Sequence, residues 1–190
     1  FTDEAAESYF KKGKVAYVST ITDVFEAIKQ DKADYGVVPI ENSTEGSVSE
    51  TIDCLTRYEL NIYAEIYYQI QHVLAGTGKL SQVRKVRSHP MAIKQCMSKL
   101  KLGKKAKIIT KLTNGQDYST AGAMASVAKA KDPGVAAIGS KKAAEKYGLN
   151  ILIDNLSDRA DNETRFFVIS KKESEKSGKD KTSIIIAVKD

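Results

Sequence analysis

The sequence predicts an α/β fold, in which sheets are layered with helices. Three observations carry this. Short apolar runs such as "DYGVVPI", "VAAIGS" and "ILIDNL" alternate with segments whose apolar residues recur at helical spacing. Hydroxyl-bearing residues precede several of the helical segments, where caps belong. Of the 190 residues, 42% are hydrophobic, enough for one large or two small domains with a buried core.

Taken in order, "FTDEAAESYFKKG" reads as a helix with Thr2 as N-cap, Asp3 and Glu4 at the positive end of its dipole, and Gly13 as its stop. A helix with no strand in front of it breaks the alternation, so a strand upstream of Phe1 is expected. "KVAYVST" follows as a short strand. "ITDVFEAIKQDKA" is a helix with Val24, Phe25 and Ile28 on one face, and "DYGVVPI" is a buried strand. Val48, Ile52 and Leu55 make "GSVSETIDCLTRY" a helix. "NIYAEIYYQIQHVLAG" alternates for longer than an ordinary strand, and a strand of that length can leave one sheet and enter another. Then come the strand "VRKVRSH", the helix "PMAIKQCMSKL", the strand "KIITKL" and the helix "TAGAMASVAKAKD". The strand "VAAIGS", the helix "KKAAEKYG", and the strands "ILIDNL" and "TRFFVIS" complete the series. Residues 171–181, "KKESEKSGKDK", contain no apolar residue and read as a linker; "TSIIIAVKD" reads as a new strand.

Several function classes are disfavoured. No run of about 18 apolar residues occurs, which argues against a membrane span, and no secretory signal pattern opens the chain. Cys54 and Cys96 stand alone, as packing thiols of a cytoplasmic protein. His72 and His89 are the only histidines, which disfavours a transition-metal site. The net charge of +6 is scattered, without the aromatic interleaving of a nucleic-acid platform, and suits small anionic substrates equally well.

Chemistry is expected at the helix starts. "PIENSTEGSV" sets Glu41, Asn42, Ser43 and Thr44 between a strand end and a helix, with Gly46 allowing close approach of backbone to a ligand. "RSHPMAIKQC" has Ser88 as N-cap and Pro90 in the first turn. "YSTAGAMASV" offers Ser119, Thr120 and Gly122. Any one of these alone is only a plain cap; together they suggest a pocket for an anion carrying more than one carboxylate. Gln95 reads as a solvated helix residue or a ligand contact, His89 as a hydrogen-bonder at a helix start, His72 as a satisfied core histidine, and Lys141 and Lys142 as solvent-facing. Glu41 is a candidate for function. Thr164 and Arg165 put a hydroxyl and a guanidinium at the mouth of the apolar strand "FFVIS", either as ordinary strand-end polarity or as part of a site.

"DYGVVPIENSTEGSV", "SHPMAIKQC", "STAGAMASVA", "AAIGSKKAAEKYGLNIL" and "DNETRF" occur in this order at family-like intervals, and the chain resembles the prephenate dehydratase family over nearly residues 1–170. "FTDEAA" is similar to the tail of that family's "GPxGTFT" motif, and "TSIIIAVKD" to the first strand of the ACT regulatory domain that commonly follows.

The resemblance implies a two-lobed fold of the type-2 periplasmic-binding-protein kind with two interlobe crossings and the active site between the lobes. Lobe 1 would hold about 1–72 plus 155–170, lobe 2 about 73–154; 171–181 would be a linker and 182–190 the start of an ACT domain. It implies the decarboxylating dehydration of prephenate to phenylpyruvate in phenylalanine biosynthesis, by a lyase with no cofactor and no metal. Thr164 would be the catalytic hydroxyl, with Arg165 beside it and Glu41 orienting Asn42 or relaying a proton. Asn42, Ser43, Thr44, Ser88, Gln95, Ser119, Thr120 and Phe166 would contact substrate. The expected assembly is a homodimer or homotetramer without nucleic-acid or membrane partners, and phenylalanine would act as effector only with the full ACT domain.

One position departs from the family pattern. Some members carry a glutamate just before "STxxAM", where this chain has Asp117 and Tyr118. Arogenate dehydratase is the same-class alternative, and a non-catalytic two-lobed module binding a small anion is the different-class one.

Overall fold

The computed structural model describes residues 1–100, 107–109 and 119–186. It divides into two compact units, one of residues 1–69 and 163–190, the other of the continuous stretch 70–162. The alternation of strands and helices holds in both, so the α/β expectation is met.

The first unit contains α1 (Thr2–Tyr9), α2 (Ile21–Lys29), β1 (Gly36–Asn42), β2 (Gly46–Ser47), α3 (Ser49–Arg57), β3 (Asn61–Gln69) and β9 (Glu163–Ser170). Its sheet runs β2-β1-β9-β3, with antiparallel neighbours throughout. Because strand side chains alternate in direction, β9 feeds two cores. Phe167 and Ile169 pack with Phe25, Ile28 and Cys54 of α2 and α3. Phe166 and Val168 pack on the other face with Ala5 of α1 and Ile66 of β3. A capping box between Thr20 and Asp23 starts α2, and Val24, Phe25 and Ile28 form its inner face as expected. Gly36 lets α2 approach β1; a Cβ there would stand 2.4 Å from Val24 Cγ1.

The second unit holds β4 (Val73–Gly76), β5 (Lys85–Arg87), α4 (Pro90–Lys94), β6 (Lys107–Ile109), α5 (Thr120–Ala130), β7 (Val135–Gly139), α6 (Lys141–Lys146) and β8 (Asn150–Ile153). The sheet order is β6-β5-β7-β4-β8. The β5–β6 and β5–β7 pairs are parallel, while β4 runs antiparallel to β7 and β8. Residues of α5 and α6 pack on one face with Val73, Val135 and Ala137; Ala92, Ile93 and Cys96 pack on the other with Val86 and Ile138. Both cysteines are buried and free. Burial pushes the Cys96 thiol up to about 12, with Asp158 adding to the shift.

Several sequence expectations need correction. Phe1, not Thr2, caps α1, because its carbonyl accepts the first helical bond from Ala5 N at 2.9 Å. The helix stops at Tyr9, since Phe10 is extended and its ring packs against Tyr35; Gly13 lies beyond the end. Residues 14–18 form no strand: β1 takes β2 and β9 as neighbours, and this exposed segment joins neither sheet. The long strand over 61–76 breaks at residues 70–72 into β3 of one sheet and β4 of the other, as its length suggested.

The helix expected over 90–100 ends at Lys94. Its next bonds are diverted, because Gln95 O accepts from Asp158 N at 2.8 Å while the Asp158 carboxylate accepts from Ser98 N and Lys99 N at 3.1 and 3.0 Å. Residues 182–186 are not a strand, and Ile184, Ile185 and Ile186 are exposed; residues 187–190 lie outside the described residues. The units divide at 69/70 and 162/163 rather than at 72/73 and 154/155. Backbone bonds within the second unit explain this: Ile70 N donates to Asn162 O, and Leu156 N to His72 O, both at 2.8 Å.

Candidate active site

In the first unit, Asn42 and Thr164 face each other in register where β1 and β9 end and begin. Cross-strand partners share one face of a sheet, so this pairing sets their side chains side by side. Asn42 Nδ2 donates to Thr164 Oγ1 at 2.9 Å and to Glu163 O at 3.2 Å. Asn42 Oδ1 accepts from Thr44 N and Glu45 N at 3.0 and 3.2 Å, which folds "ENSTEG" into a turn. Ser43 locks the same corner: its N–H donates to Glu163 O at 2.9 Å, and its Oγ accepts from Glu163 N at 3.0 Å.

Thr164 is buried, and its hydroxyl oxygen is an acceptor in the bond from Asn42. That leaves the hydroxyl proton to be donated elsewhere, and accepting one bond strengthens the hydroxyl as a donor.

The neighbouring candidates divide by strand alternation. Arg165 projects from the face opposite Thr164 and is held by Glu65 of β3, with N–O distances of 2.9 and 2.7 Å. Its guanidinium also lies 5.0 Å from the Phe167 ring centroid and 5.8 Å from that of Tyr67. Lys181 pairs with the other Glu65 oxygen. Burial pushes the Glu65 carboxyl up, but the bonds from Lys181 and Arg165 outweigh it, and the group sits below the usual carboxylate range.

Phe166, 2% exposed, belongs to the core beside Val168 rather than to the surface at the strand mouth. Glu41 is exposed and in register with Arg165, on the side of β1 away from Thr164. Glu41 to Thr44 do not lie at a helix start, because β2 intervenes before α3. Gly46 is required for its conformation, φ +83°, and a Cβ there would meet nothing within 4 Å.

In the second unit, β5, β6 and β7 are parallel neighbours. The helix starts at His89 and Ser140 directly follow β5 and β7, and the start of α5 is beside the end of β7, where Thr120 O would stand 3.2 Å from a Cβ on Gly139. They therefore lie along the strand carboxyl ends, the edge where α/β sheets bind ligands. Ser119 Oγ accepts from Gly122 N at 2.9 Å, and Thr120 follows it half-buried. Ser140 Oγ accepts from Ala143 N at 3.0 Å. Lys141 and Lys142 are exposed, as expected.

Ser88 is not the cap of α4. It is fully buried and donates to Ile138 O at 2.7 Å, tying β5 to β7, while His89 Nδ1 accepts from Met91 N at 3.3 Å and takes the cap position. Gln95, at the end of α4, is half-buried rather than solvated. Its Oε1 lies 3.0 Å from His72 Nε2 and accepts from Asn162 Nδ2 at 3.0 Å. Burial lowers the pKa of both His72 and His89 below the ordinary imidazole value. The expected departure at Asp117 and Tyr118 falls outside the described residues.

The family model for prephenate dehydratase matches residues 1–174. The chain belongs to the prephenate dehydratase family. It is 40% identical to a bifunctional chorismate mutase/prephenate dehydratase of Aquifex aeolicus over all of this chain and 51% of that protein. It is 42% identical to a prephenate dehydratase of Methanocaldococcus jannaschii over 84% of this chain and 55% of that one. The chain therefore spans about half the length of these curated relatives. The crystal structure of a prephenate dehydratase from Arthrobacter aurescens in complex with L-Phe superposes with a TM-score of 0.82 at 26% identity, covering 93% of this chain and 59% of that one.

Family membership does not by itself assign roles to residues, and the geometry gives two polar clusters, one in each unit. The residues that sequence reasoning missed are partners, not new hydroxyls. Glu65 holds Arg165, and Asn162 with His72 holds Gln95. His72 was readable as a satisfied core histidine, but its partner was not. A cavity of about 180 Å³ near Asp31, Asp34 and Lys171 includes none of the candidate residues in its lining. Among the described residues no group of His, Cys, Asp and Glu is arranged to hold a metal, and no helix is long and apolar enough to cross a membrane.

Proposed function

We propose that this chain carries the prephenate dehydratase reaction, prephenate plus a proton giving phenylpyruvate, carbon dioxide and water. The ring carboxylate leaves as carbon dioxide, its bonding pair enters the ring as the ring becomes aromatic, and the C4–oxygen bond breaks. The departing oxygen needs a hydrogen-bond donor as its charge develops, and it takes up from solvent the proton that the reaction consumes. The observation that carries this reading is the Thr164 hydroxyl, whose oxygen is engaged by Asn42 so that its proton is left to donate. A pre-organised donor of this kind stabilises the transition state without acting as a free acid.

In this reading the two units are the lobes of a type-2 periplasmic-binding-like fold, and the crossings at 69/70 and 162/163 support it. Ser119, Thr120 and Gln95 would hold the carboxylates from the second unit, Asn42, Ser43 and Thr44 would shape the site in the first, and Ser88 and Phe166 would support it from within. Arg165 would fix the strand that carries Thr164, and Glu41 has the weaker claim, since it projects from the opposite face. Residues 182–190 would open an ACT domain, and a cytoplasmic homodimer or homotetramer is the assembly we favour. Incubating the protein with prephenate and reading phenylpyruvate absorbance in alkali tests the activity. Arogenate in a parallel reaction, read as phenylalanine, tests substrate choice, and no product from either would remove the reading.

A further inference from the structure

Two buried polar side chains lie beside the places where the chain passes between its units. His72, 2% exposed, comes just after the first passage, and Asn162, 1% exposed, just before the second. Both reach Gln95 Oε1, each at 3.0 Å. The surrounding backbone fixes all three. His72 N donates to Ser157 Oγ at 2.9 Å, Ile70 N to Asn162 O at 2.8 Å, and Asp158 N to Gln95 O at 2.8 Å.

An amide oxygen has two lone pairs, and here both are filled. Turning the Gln95 amide over would set its NH2 against the NH2 of Asn162, donor against donor. The same oxygen requires His72 to carry its proton on Nε2, in the neutral ring that burial favours. The Gln95 Nε2 group makes no hydrogen bond among the described residues. It is a donor of fixed direction on a half-buried side chain.

We propose that His72 and Asn162 are positioning residues for Gln95: together they hold its amide so that the NH2 is offered to an acceptor oxygen of the substrate, a carboxylate or carbonyl. This rests on the reading of the chain as a prephenate dehydratase that uses Gln95 to bind.

Asn162→Asp tests the orientation in a near-isosteric way. A carboxylate only accepts, so Gln95 turns its NH2 inward and presents oxygen to an anionic substrate. The expected result is a rise in KM of about tenfold or more, with kcat within about threefold of the parent. In a Gln95→Ala background the same change adds less than about twofold, because the two act through one group. His72→Phe also raises KM, whereas His72→Gln, which keeps a donor, restores most of the affinity.

A rise in KM for Gln95→Ala with none for Asn162→Asp overturns the proposal and leaves the dehydratase reading intact. A silent Gln95→Ala overturns it as well, since there is then no binding group to position. Absence of turnover in the parent removes the dehydratase reading, and nitrogen NMR of the unsubstituted protein then decides. A neutral His72 protonated on Nε2 is expected, and protonation on Nδ1 overturns the proposal. The NMR result also decides if Asn162→Asp fails to fold.

Discussion

Asn42 donates its side-chain amide to the hydroxyl oxygen of Thr164 at 2.9 Å, across two strands that set these residues opposite each other. The bond has a direction, and the direction determines what the hydroxyl can do. A threonine that accepts here has its own proton to give to a substrate.

Thr164→Ala therefore removes a transition-state donor. The expected loss in kcat is about a hundredfold to a thousandfold, with a much smaller change in KM. Steady-state kinetics on prephenate measure both, and a kcat near the parent value would take Thr164 out of the mechanism.

Asn42→Asp reverses the bond at nearly constant volume. The carboxylate accepts the Thr164 proton, so the hydroxyl points away from substrate. A fall in kcat of about a hundredfold, comparable to that of Thr164→Ala, is expected. Combining the two substitutions should cost little more than either alone, because both remove one donor; additive losses would show that Asn42 acts independently.

Acid stability should report Glu65. Its pKa is lowered in the folded protein, so the unfolded chain binds the proton more readily. The stabilisation is present in full above the ordinary carboxylate value and is lost as pH falls below it through the folded value. Glu65→Gln should lower stability at neutral pH by about 1 kcal/mol or less. It should also flatten the acid limb of a plot of denaturation midpoint against pH, and parallel acid limbs for parent and variant would exclude this role.

The two histidines act at milder acidity. Both are lowered by burial, so the unfolded chain takes up protons first as pH falls below the ordinary value of 6.5, and stability declines toward the folded values. In thermal melts between neutral pH and about pH 5, His72→Gln should remove part of that slope. An unchanged slope would mean that His72 does not titrate on unfolding in this range.

Gly36→Ala tests the packing of α2 on β1. The added Cβ would stand 2.4 Å from Val24 Cγ1 and 3.1 Å from Ile169 Cγ1. Overpacking of this kind costs about 1–3 kcal/mol, read as a lower denaturation midpoint with KM unchanged. A midpoint equal to the parent's would show that α2 yields without strain.

Where local chemistry decides the structure, the sequence was readable. Val24, Phe25 and Ile28 mark the inner face of α2, Ser119 starts α5, and β7 is an apolar run buried along its whole length. Where a distant residue decides, it was not. Asp158 ends α4 by taking the amides of Ser98 and Lys99, and nothing near Gln95 signals this. Residues 14–18 and 182–186 have strand-like composition, but a strand exists only with a neighbour to pair with. The hydroxyls and amides of the candidate site stood out in their motifs. Which way each points depends on partners such as Thr164, 122 residues from Asn42, and Asn162, 67 from Gln95.

The strand that carries Thr164 is also the one that closes its sheet. β1 and β3 are not hydrogen-bonded to each other; each pairs with β9, which emerges only after the whole of residues 70–162. The second unit is continuous and can fold as soon as it is made, whereas the first must wait for its middle strand, a closure of high contact order. Refolding should accordingly be staggered. Pulsed hydrogen exchange is expected to protect β4, β5 and β7 before β1 and β3, and simultaneous protection would contradict this order. The hydroxyl proposed for catalysis thus arrives with the last piece of the fold, so an incompletely folded chain has no Asn42–Thr164 pair with which to begin the chemistry.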